Sequence, residues 1–341
     1  MKNNIVIAVL SVILAALVAA IVLVGAGIID FGITERTEEP NDDQTEDTAE
    51  IIVQPSDLPV SVSPVHEDNV ETDNLPEQSN PATELLESMN LEEKVYQLFI
   101  VTPEELTGVS SATIAGEATR EALSKKPVGG LVYFANNILN PEQITAMIDA
   151  SQSYSEIPLF IGVDEEGGMV SRIGSNPEME ASTFDNMWVY GQNGDTSAVY
   201  DIGATIAEDL LKFGFNLNFA PIADVLSNPN NTAIGRRAFS ADPYVAGEMA
   251  AAFVNGSQDM GVIATLKHFP GHGATDADSH HGMAISERTL EELKNGEFIP
   301  FKIGIDAGAG MVMVAHISVP EVTNDYTPAD LSYMMVTQLL R

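Results

Sequence analysis

Residues 159–168 read LFIGVDEEGG, a short apolar run that leads directly into three acids and two glycines. The apolar run has the length of a buried strand, and the acids follow at its carboxyl end. The same order recurs, since Asp224 follows another apolar run, Lys267 and His268 end a further one, and His316 ends the last. Polar side chains at the carboxyl ends of many strands are typical of a TIM-type barrel, whereas an open sheet concentrates them at one switch point.

Short apolar runs alternate with helical patterns along the chain, which indicates βαβ units and a parallel sheet. We predict strands at 97–101, 130–134, 159–163, 216–221, 262–266 and 311–314. We predict helices that begin at Asn90, with a capping box to Glu93, and at Asn140, and helices over 197–213, 244–260, 290–307 and 328–340. The sequence therefore predicts an α/β fold, a TIM-type (β/α)8 barrel with about six strand–helix units present.

The acidic balance of the chain excludes one class of partner. The formal net charge is −35, from 50 Asp and Glu residues against 15 Lys and Arg residues. Phosphate binding requires Lys and Arg, so we expect no nucleic-acid partner. The chain has no cysteine, which excludes disulfides, thiolate metal sites and a cysteine nucleophile.

The N-terminal segment divides into three parts. Residues 1–4 contain Lys2, and residues 5–29 form an uncharged apolar run long enough to cross a bilayer. The flanking charges favour a short cytoplasmic N-terminus, a single-pass anchor and an extracellular remainder, with a cleaved signal peptide and a secreted product as the alternative. Residues 30–81 are acidic and nearly free of aromatics, which is typical of a disordered linker, and residues 82–341 form the globular domain.

Residues 267–282, KHFPGHGATDADSHHG, are rich in reactive side chains, with four histidines and two aspartates. Histidine changes charge near neutral pH, and Asp278 lies close enough in sequence to His280 to orient its imidazole for proton transfer. Residue types alone leave three other interpretations open. One is a zinc site, because His268 and His272 have metal-ligand spacing. The others are a solvated polar loop and a structural loop whose histidines cap strand ends.

The run KHFPGHG followed by DSH resembles the signature of family 3 glycoside hydrolases of the β-N-acetylglucosaminidase type. Further stretches agree with the family in order along the chain. They are GGL at 129–131 with Phe134, IGVDEEGG at 161–168 with Arg172, NFAPIAD at 218–224 with NPNN at 228–231, IGRRAF at 234–239, and MVAH at 313–316. The resemblance covers residues 82–341 and implies the N-terminal catalytic barrel of such an enzyme.

The resemblance implies roles for seven residues and a carbohydrate as the substrate. Asp164 is expected to hold sugar hydroxyls, and the −1 sugar subsite is expected to be lined by Arg172, Arg237, Lys267 and His268. His280 is implied as the general acid/base, with Asp278 as its partner. The resemblance implies no cofactor, and we expect no metal.

The chain departs from the family pattern at two points. Met169 stands where the family usually has arginine, but Arg172 is retained, so we expect sugar binding to persist. A retaining glycosidase also needs a nucleophile about 5 Å from the acid/base, and in the family this is an aspartate after the seventh strand. No such motif follows the sixth predicted strand, so we expect a barrel truncated after about six strand–helix units and an inactive fragment.

The implied activity is that of a β-N-acetylhexosaminidase, which removes terminal β-linked N-acetylglucosamine from peptidoglycan fragments or chitin oligomers by a retaining mechanism. A glycoside phosphorylase is an alternative, because a neutral histidine repels an incoming phosphate less than a carboxylate does. A β-glucosidase of the same family is another, although those enzymes usually lack the DSH loop. Outside the enzymes, the alternative is a cell-surface protein that binds sugar without turnover.

Overall fold

The structure is a computed structural model, and it describes residues 80–275 and 282–341 of the 341-residue chain. The predicted anchor at 5–29, the predicted linker up to residue 79, and the predicted pair Asp278 and His280 lie outside the described residues. Within the described ranges, no helix is both long enough and apolar enough to cross a membrane.

The strands are short and mostly parallel to their neighbours in the chain. In chain order they are β1 (Ile100–Val101), β2 (Gly130–Tyr133), β3 (Phe160–Val163), β4 (Leu217–Asn218), β5 (Ile263–Phe269), β6 (Ala284–Ile285), β7 (Met311–Val314) and β8 (Ile317–Ser318). A six-stranded parallel sheet has the order β1-β2-β3-β4-β5-β7, and β6 pairs with β8 in a separate parallel pair. The predicted α/β architecture is confirmed as a half-barrel of the TIM type, and the interpretation of this half-barrel as a truncated (β/α)8 barrel stays a prediction.

Helices alternate with the strands of the six-stranded sheet. They are α1 (Pro81–Ser88), α2 (Leu91–Tyr96), α3 (Pro103–Thr107), α4 (Glu117–Lys125), α5 (Pro141–Tyr154), α6 (Met187–Asn193), α7 (Thr196–Phe213), α8 (Pro243–Asp259), α9 (Leu290–Asn295), α10 (Phe298–Asp306) and α11 (Pro320–Thr323). The predicted capping box is present, since the side chain of Asn90 accepts the N–H of Glu93 and the Glu93 carboxylate accepts that of Asn90.

Two glycines let α7 and α8 pack against each other at close range. A Cβ atom at Gly203 would lie 2.5 Å from the carbonyl oxygen of Phe253, and one at Gly256 would lie 2.1 Å from that of Tyr200. Any side chain at either position would separate the two helices, because protein interiors leave no room for the added volume. Helix α8 also packs against β5, the strand that carries Lys267 and His268.

Several predicted elements differ from the structure in extent. The predicted strands 97–101 and 216–221 are shorter, at Ile100–Val101 and Leu217–Asn218. The predicted helix 290–307 is two helices, α9 and α10, because the backbone at Gly296 (φ −139°, ψ −92°) leaves the helical region. The predicted helix 328–340 is a 3-10 turn (Ala329–Leu331) followed by a π-helix (Met334–Leu340). Strand β5 continues past residue 266 to Phe269, so Lys267 and His268 lie within the strand.

Candidate active site

A cavity of about 550 Å³ lies at the carboxyl ends of the main-sheet strands. All five predicted sugar-binding residues line it, namely Asp164, Arg172, Arg237, Lys267 and His268. Phe134, Val170, Ala233, Ile234, His272 and residues 313–316 complete the wall. Residues from β5 and β7, and from the segments that follow β2, β3 and β4, thus meet at one side of the sheet, where the carboxyl ends of parallel strands lie.

Lys267 is a buried cation between two carboxylates. Its side chain is 2% exposed, and its Nζ lies 2.7 Å from Oδ1 of Asp164 and 2.6 Å from Oε1 of Glu166. A buried ammonium is tolerated only when charged and hydrogen-bonding partners replace water. The two carboxylates, which both follow β3, supply those partners and fix Lys267 in the cavity wall.

Glu166 extends this pairing to Arg237. Its Oε2 accepts from Nε of Arg237 at 2.9 Å and its Oε1 accepts from Nη2 at 2.7 Å, a bidentate pair. Burial alone would raise the pKa of Glu166, but attraction to Lys267 and Arg237 outweighs burial and lowers that pKa. Glu166 is therefore ionised near neutral pH and holds two cations of the cavity wall at once.

Asp224 holds the side chain of His268 in the cavity wall, as Glu166 holds those of Lys267 and Arg237. Its Oδ2 lies 2.7 Å from Nδ1 of His268, and its Oδ1 accepts the backbone N–H of His272 at 2.6 Å. Burial would raise the pKa of Asp224, but the two histidines outweigh burial and lower it. Because an ionised carboxylate only accepts hydrogen bonds, the proton of a neutral His268 is assigned to Nδ1, which leaves Nε2 as an acceptor.

Glu165 organises the backbone that carries Arg172. Its carboxylate accepts the N–H groups of Arg172 and Ile173, each at 2.7 Å, and the hydroxyl of Ser171. Asn218 lies at the end of β4. Its side-chain oxygen accepts the backbone N–H of Glu165, and its side-chain nitrogen donates to the carbonyl oxygen of Glu165. Burial raises the pKa of Glu165, and the hydrogen bonds offset only part of that rise.

The backbone just before residue 276 is tied to the loop that follows β4. Asn231 is buried, and its amide nitrogen donates to the carbonyl oxygens of His272 and Thr275, both at 2.8 Å. The hydroxyl of Thr275 lies 2.8 Å from Nδ1 of His272. The chain that leads to Asp278 and His280 is thus fixed at Thr275, and the roles predicted for those two residues stay predictions.

The described ranges contain no group of three or more His, Asp and Glu side chains arranged to hold a metal ion. Of the two histidines with metal-ligand spacing, His268 bonds through Nδ1 to Asp224, and His272 bonds through Nδ1 to Thr275. The Nδ1 atom of each of these two rings therefore has a partner within the protein.

The cavity suits a small, neutral, polar ligand. Arg172, Arg237 and Lys267 supply N–H donors, and Asp164 supplies acceptors, so hydroxyl groups can form charge-assisted hydrogen bonds there. Phe134, which is 39% exposed at the end of β2, adds an aromatic face. A few placed polar groups on a partly apolar wall are typical of small-molecule sites.

Four residues that hold the predicted site residues, or the loop after β5, escape prediction from the sequence. They are Glu165, Glu166, Asp224 and Asn231. A partial signal exists for three of them, because both glutamates directly follow Asp164 and Asp224 ends its apolar run in the same way. Nothing in the local pattern of residues indicates that Asn231 bridges two loops.

Comparison with known proteins identifies relatives for most of the described chain. The family model for the glycosyl hydrolase family 3 N terminal domain matches residues 90–341. Beta-hexosaminidase A of Pseudoalteromonas piscicida is 39% identical over 240 residues, which are 65% of this chain and 40% of that protein. A beta-hexosaminidase of Stenotrophomonas maltophilia is 35% identical over 238 residues, which are 69% of this chain and 70% of that protein.

Solved structures of the same family have the same fold. The family 3 β-N-acetylglucosaminidase of a Paenibacillus species superposes with a TM-score of 0.68 at 34% identity, over 74% of this chain and 47% of that one. NagZ from Neisseria gonorrhoeae, solved with N-trifluoroacetyl-D-glucosamine, superposes with a TM-score of 0.63 at 31% identity, over 68% of each chain. The chain therefore spans less than half the length of some relatives and about two thirds of others.

Proposed function

The chain belongs to glycosyl hydrolase family 3, and on that premise we propose that the protein expressed from its complete reading frame releases terminal β-linked N-acetylglucosamine from glycans such as peptidoglycan fragments or chitin oligomers. The observation that carries the proposal is the convergence of Asp164, Arg172, Arg237, Lys267 and His268 on one cavity. The relatives named as beta-hexosaminidases support the same class of substrate.

In this proposal, some cavity residues accept hydrogen bonds from the sugar and others donate them. Asp164 accepts hydrogen bonds from sugar hydroxyls, while Lys267 and Arg172 donate to hydroxyl and carbonyl oxygens. Glu166 and Asp224 contact the side chains that bind, so they hold those side chains at a fixed geometry before the sugar arrives. Binding groups that are already in place lose less entropy when the ligand binds.

The bond-breaking step in this proposal is a double displacement. His280 protonates the departing glycosidic oxygen, with Asp278 as the acceptor that orients its ring, and an aspartate nucleophile attacks the anomeric carbon from the opposite face. The anomeric carbon is then bonded to the aspartate. His280 removes a proton from water, the water oxygen attacks the anomeric carbon, and the bond to the aspartate breaks, which releases the sugar with its anomeric configuration retained. The family resemblance locates that aspartate after a seventh strand of the barrel, beyond the six strands of the described sheet.

The test uses protein expressed from the complete reading frame with an aryl N-acetyl-β-glucosaminide as substrate. Proton NMR of the released sugar is expected to show the β-anomer first. Asp164→Asn is expected to lower kcat/KM about ten- to a hundredfold, because a charge-assisted hydrogen bond is lost. Asp149→Asn, an equal change of charge at an exposed position of α5, is the matched control and is expected to leave kcat/KM unchanged.

Other outcomes identify the alternatives. Release of a sugar phosphate only when phosphate is present would identify a phosphorylase, and faster turnover of an aryl glucoside would identify a β-glucosidase. Sugar binding with no turnover of any glycoside would overturn the hydrolase and favour a sugar-binding protein.

A further inference from the structure

His316 lies directly after β7 and lines the same cavity as Lys267 and His268, although neither the sequence pattern nor the family resemblance gives it a role. Its side chain is 62% exposed. Its Nδ1 lies 3.0 Å and 3.1 Å from the two carboxylate oxygens of Asp330. The cavity therefore contains a second imidazole that is bound by a carboxylate, on its β7 side.

The fold fixes the backbone on both sides of His316. On one side, the N–H of Ala315 donates to the carbonyl oxygen of Phe269 at 2.7 Å, which continues the pairing of β7 with β5. On the other side, Ile317 belongs to β8 and pairs with β6. His316 thus lies at the junction of the two sheets, where its Cα has little freedom to move.

Asp330 is also set by the fold. It belongs to the 3-10 turn Ala329–Leu331, and a bridge between Ser318 and Pro328 holds the start of that turn against β8. Because the Asp330 carboxylate only accepts hydrogen bonds, it assigns the proton of a neutral His316 to Nδ1. The Nε2 atom of His316 is then a hydrogen-bond acceptor.

The cavity has more hydrogen-bond donors than acceptors, so an additional acceptor would help to bind a sugar. Arg172, Arg237 and Lys267 can only donate hydrogen bonds. A sugar with several hydroxyls and an acetamido group also presents donors, and these need acceptors on the protein. Asp164 and Nε2 of His268 supply acceptors, but one oxygen of Asp164 is already engaged by Lys267. The Nε2 atom of His316 supplies an acceptor from a different strand end.

We propose that His316 is a further substrate-binding residue, whose Nε2 accepts a hydrogen bond from a hydroxyl or the acetamido N–H of the sugar, and that Asp330 is its positioning residue. The inference rests on the proposed function, since it takes N-acetylglucosamine as the ligand. An exposed ion pair stabilises a fold little, so replacement of either residue is expected to leave the protein folded. A purely structural pair would therefore show no effect on binding.

The experiment follows the imidazole signals of the full chain labelled with ¹⁵N-histidine, with N-acetylglucosamine as the probe. Spectra of His316→Gln and His268→Gln assign the two rings. Without sugar, His316 is expected as the Nδ1–H tautomer, and Asp330→Asn is expected to give a mixture of tautomers. With sugar, the Nε2 signal of His316 is expected to shift, and so is a signal of His268.

Affinities measured by calorimetry supply the second readout. His316→Ala is expected to weaken sugar binding about two- to tenfold, the range for loss of one hydrogen bond between neutral groups. Asp330→Asn is expected to weaken binding in the same direction. A shift of His268 without any shift of His316 would overturn the inference and leave the proposed function intact. Absence of sugar binding altogether would overturn the proposed function and this inference with it.

Discussion

Asp224 holds the imidazole of His268, with 2.7 Å between Oδ2 of the carboxylate and Nδ1 of the ring. The carboxylate has no solvent exposure, and it also accepts the backbone N–H groups of His268 at 3.2 Å and of His272 at 2.6 Å. One buried anion therefore fixes a side chain of the cavity wall and the start of the loop after β5. Loss of that anion is expected to affect both stability and sugar binding.

Asp224→Asn is expected to lower the free energy of unfolding and kcat/KM together. The amide keeps one acceptor oxygen but places an NH₂ group against groups that themselves donate. Buried polar groups left without partners cost about 1–3 kcal/mol. Urea unfolding near pH 7 measures the loss, and Asp149→Asn is the control that is expected to unfold as the wild type does. Wild-type stability in Asp224→Asn would contradict the bonding described for this carboxylate.

The stability supplied by Asp224 is expected to depend on pH. Its pKa in the folded protein is lowered from the ordinary value of 3.8, so its contribution is fully present above pH 3.8 and is lost as pH falls through the folded pKa. Urea unfolding at a series of acidic pH values is expected to show the difference between wild type and Asp224→Asn shrinking below pH 3.8. A difference that grows on acidification would have the wrong sign.

Glu165 is expected to show the opposite dependence. Burial raises its pKa above the ordinary value of 4.5, so its contribution is fully present below pH 4.5 and is lost as pH rises through the folded pKa. Glu165→Gln keeps an acceptor for the N–H groups of Arg172 and Ile173 but does not titrate. Its stability relative to wild type is therefore expected to increase as pH rises. Glu142→Gln, at an exposed position of α5, is the control, and an effect of Glu165→Gln that is equal at all pH values would contradict the raised pKa.

The strands of the main sheet are predictable because each is a local property of the sequence. Runs such as 159–163 and 311–314 are apolar, short and followed by polar residues, and local periodicity is sufficient to identify them. The convergence of the five predicted sugar-binding residues follows from the parallel order, which brings all carboxyl ends to one side. The break at Gly296 was not predictable, because apolar spacing continues across it and only the backbone conformation ends α9.

The pairings within the site are not predictable from the sequence. Glu166 and Arg237 are 71 residues apart, and Asp164 and Lys267 are 103 residues apart. Charge patterns identify candidates, but which carboxylate meets which cation depends on the distances between strand ends. Burial also changes the outcome, since the adjacent acids Glu165 and Glu166 have pKa values shifted in opposite directions.

The apolar segment at 5–29 is expected to anchor the protein with residues beyond 30 outside the cytoplasm. Its length and the flanking charges motivate the prediction. Protease added to intact cells is expected to remove the globular domain from the cell-associated fraction, and a secreted product would instead appear in the medium. Full protection of the domain until the cells are lysed would rule out the predicted orientation.

His280, and neither His281 nor His272, is expected to be the acid/base in the protein from the complete reading frame. General acid/base groups contribute about 10²–10⁴-fold to rate. The rate of hydrolysis by His280→Ala is expected to fall by that factor on glycosides with poor leaving groups. It is expected to fall less on activated aryl glycosides, which need little protonation. The matched control is His281→Ala. Equal losses on both substrates, or a larger loss in His281→Ala, would reject the assignment.

Lys267 and Glu166 are expected to show strong energetic coupling, because their charged atoms lie 2.6 Å apart and both side chains are 2% exposed. Lys267→Met leaves Glu166 and Asp164 without their shared cation, and removal of one partner of a buried ion pair costs about 3–5 kcal/mol. Glu166→Gln leaves Arg237 and Lys267 with one carboxylate fewer. The double variant removes one charge of each sign, so its loss of unfolding free energy is expected to fall short of the sum of the single losses by about 1–3 kcal/mol.

A second pair on the same protein provides the control for that cycle. Glu121 and Lys125 lie on α4 with 3.2 Å between their charged atoms, but both side chains are mostly exposed. Water and salt screen such a pair, so the cycle of Glu121→Gln with Lys125→Met is expected to show coupling near zero. Urea unfolding of both sets of variants in one buffer compares the coupling of a buried pair with that of an exposed pair. Additive losses for Lys267→Met and Glu166→Gln would mean that the two side chains do not form the buried pair on which the cavity wall depends.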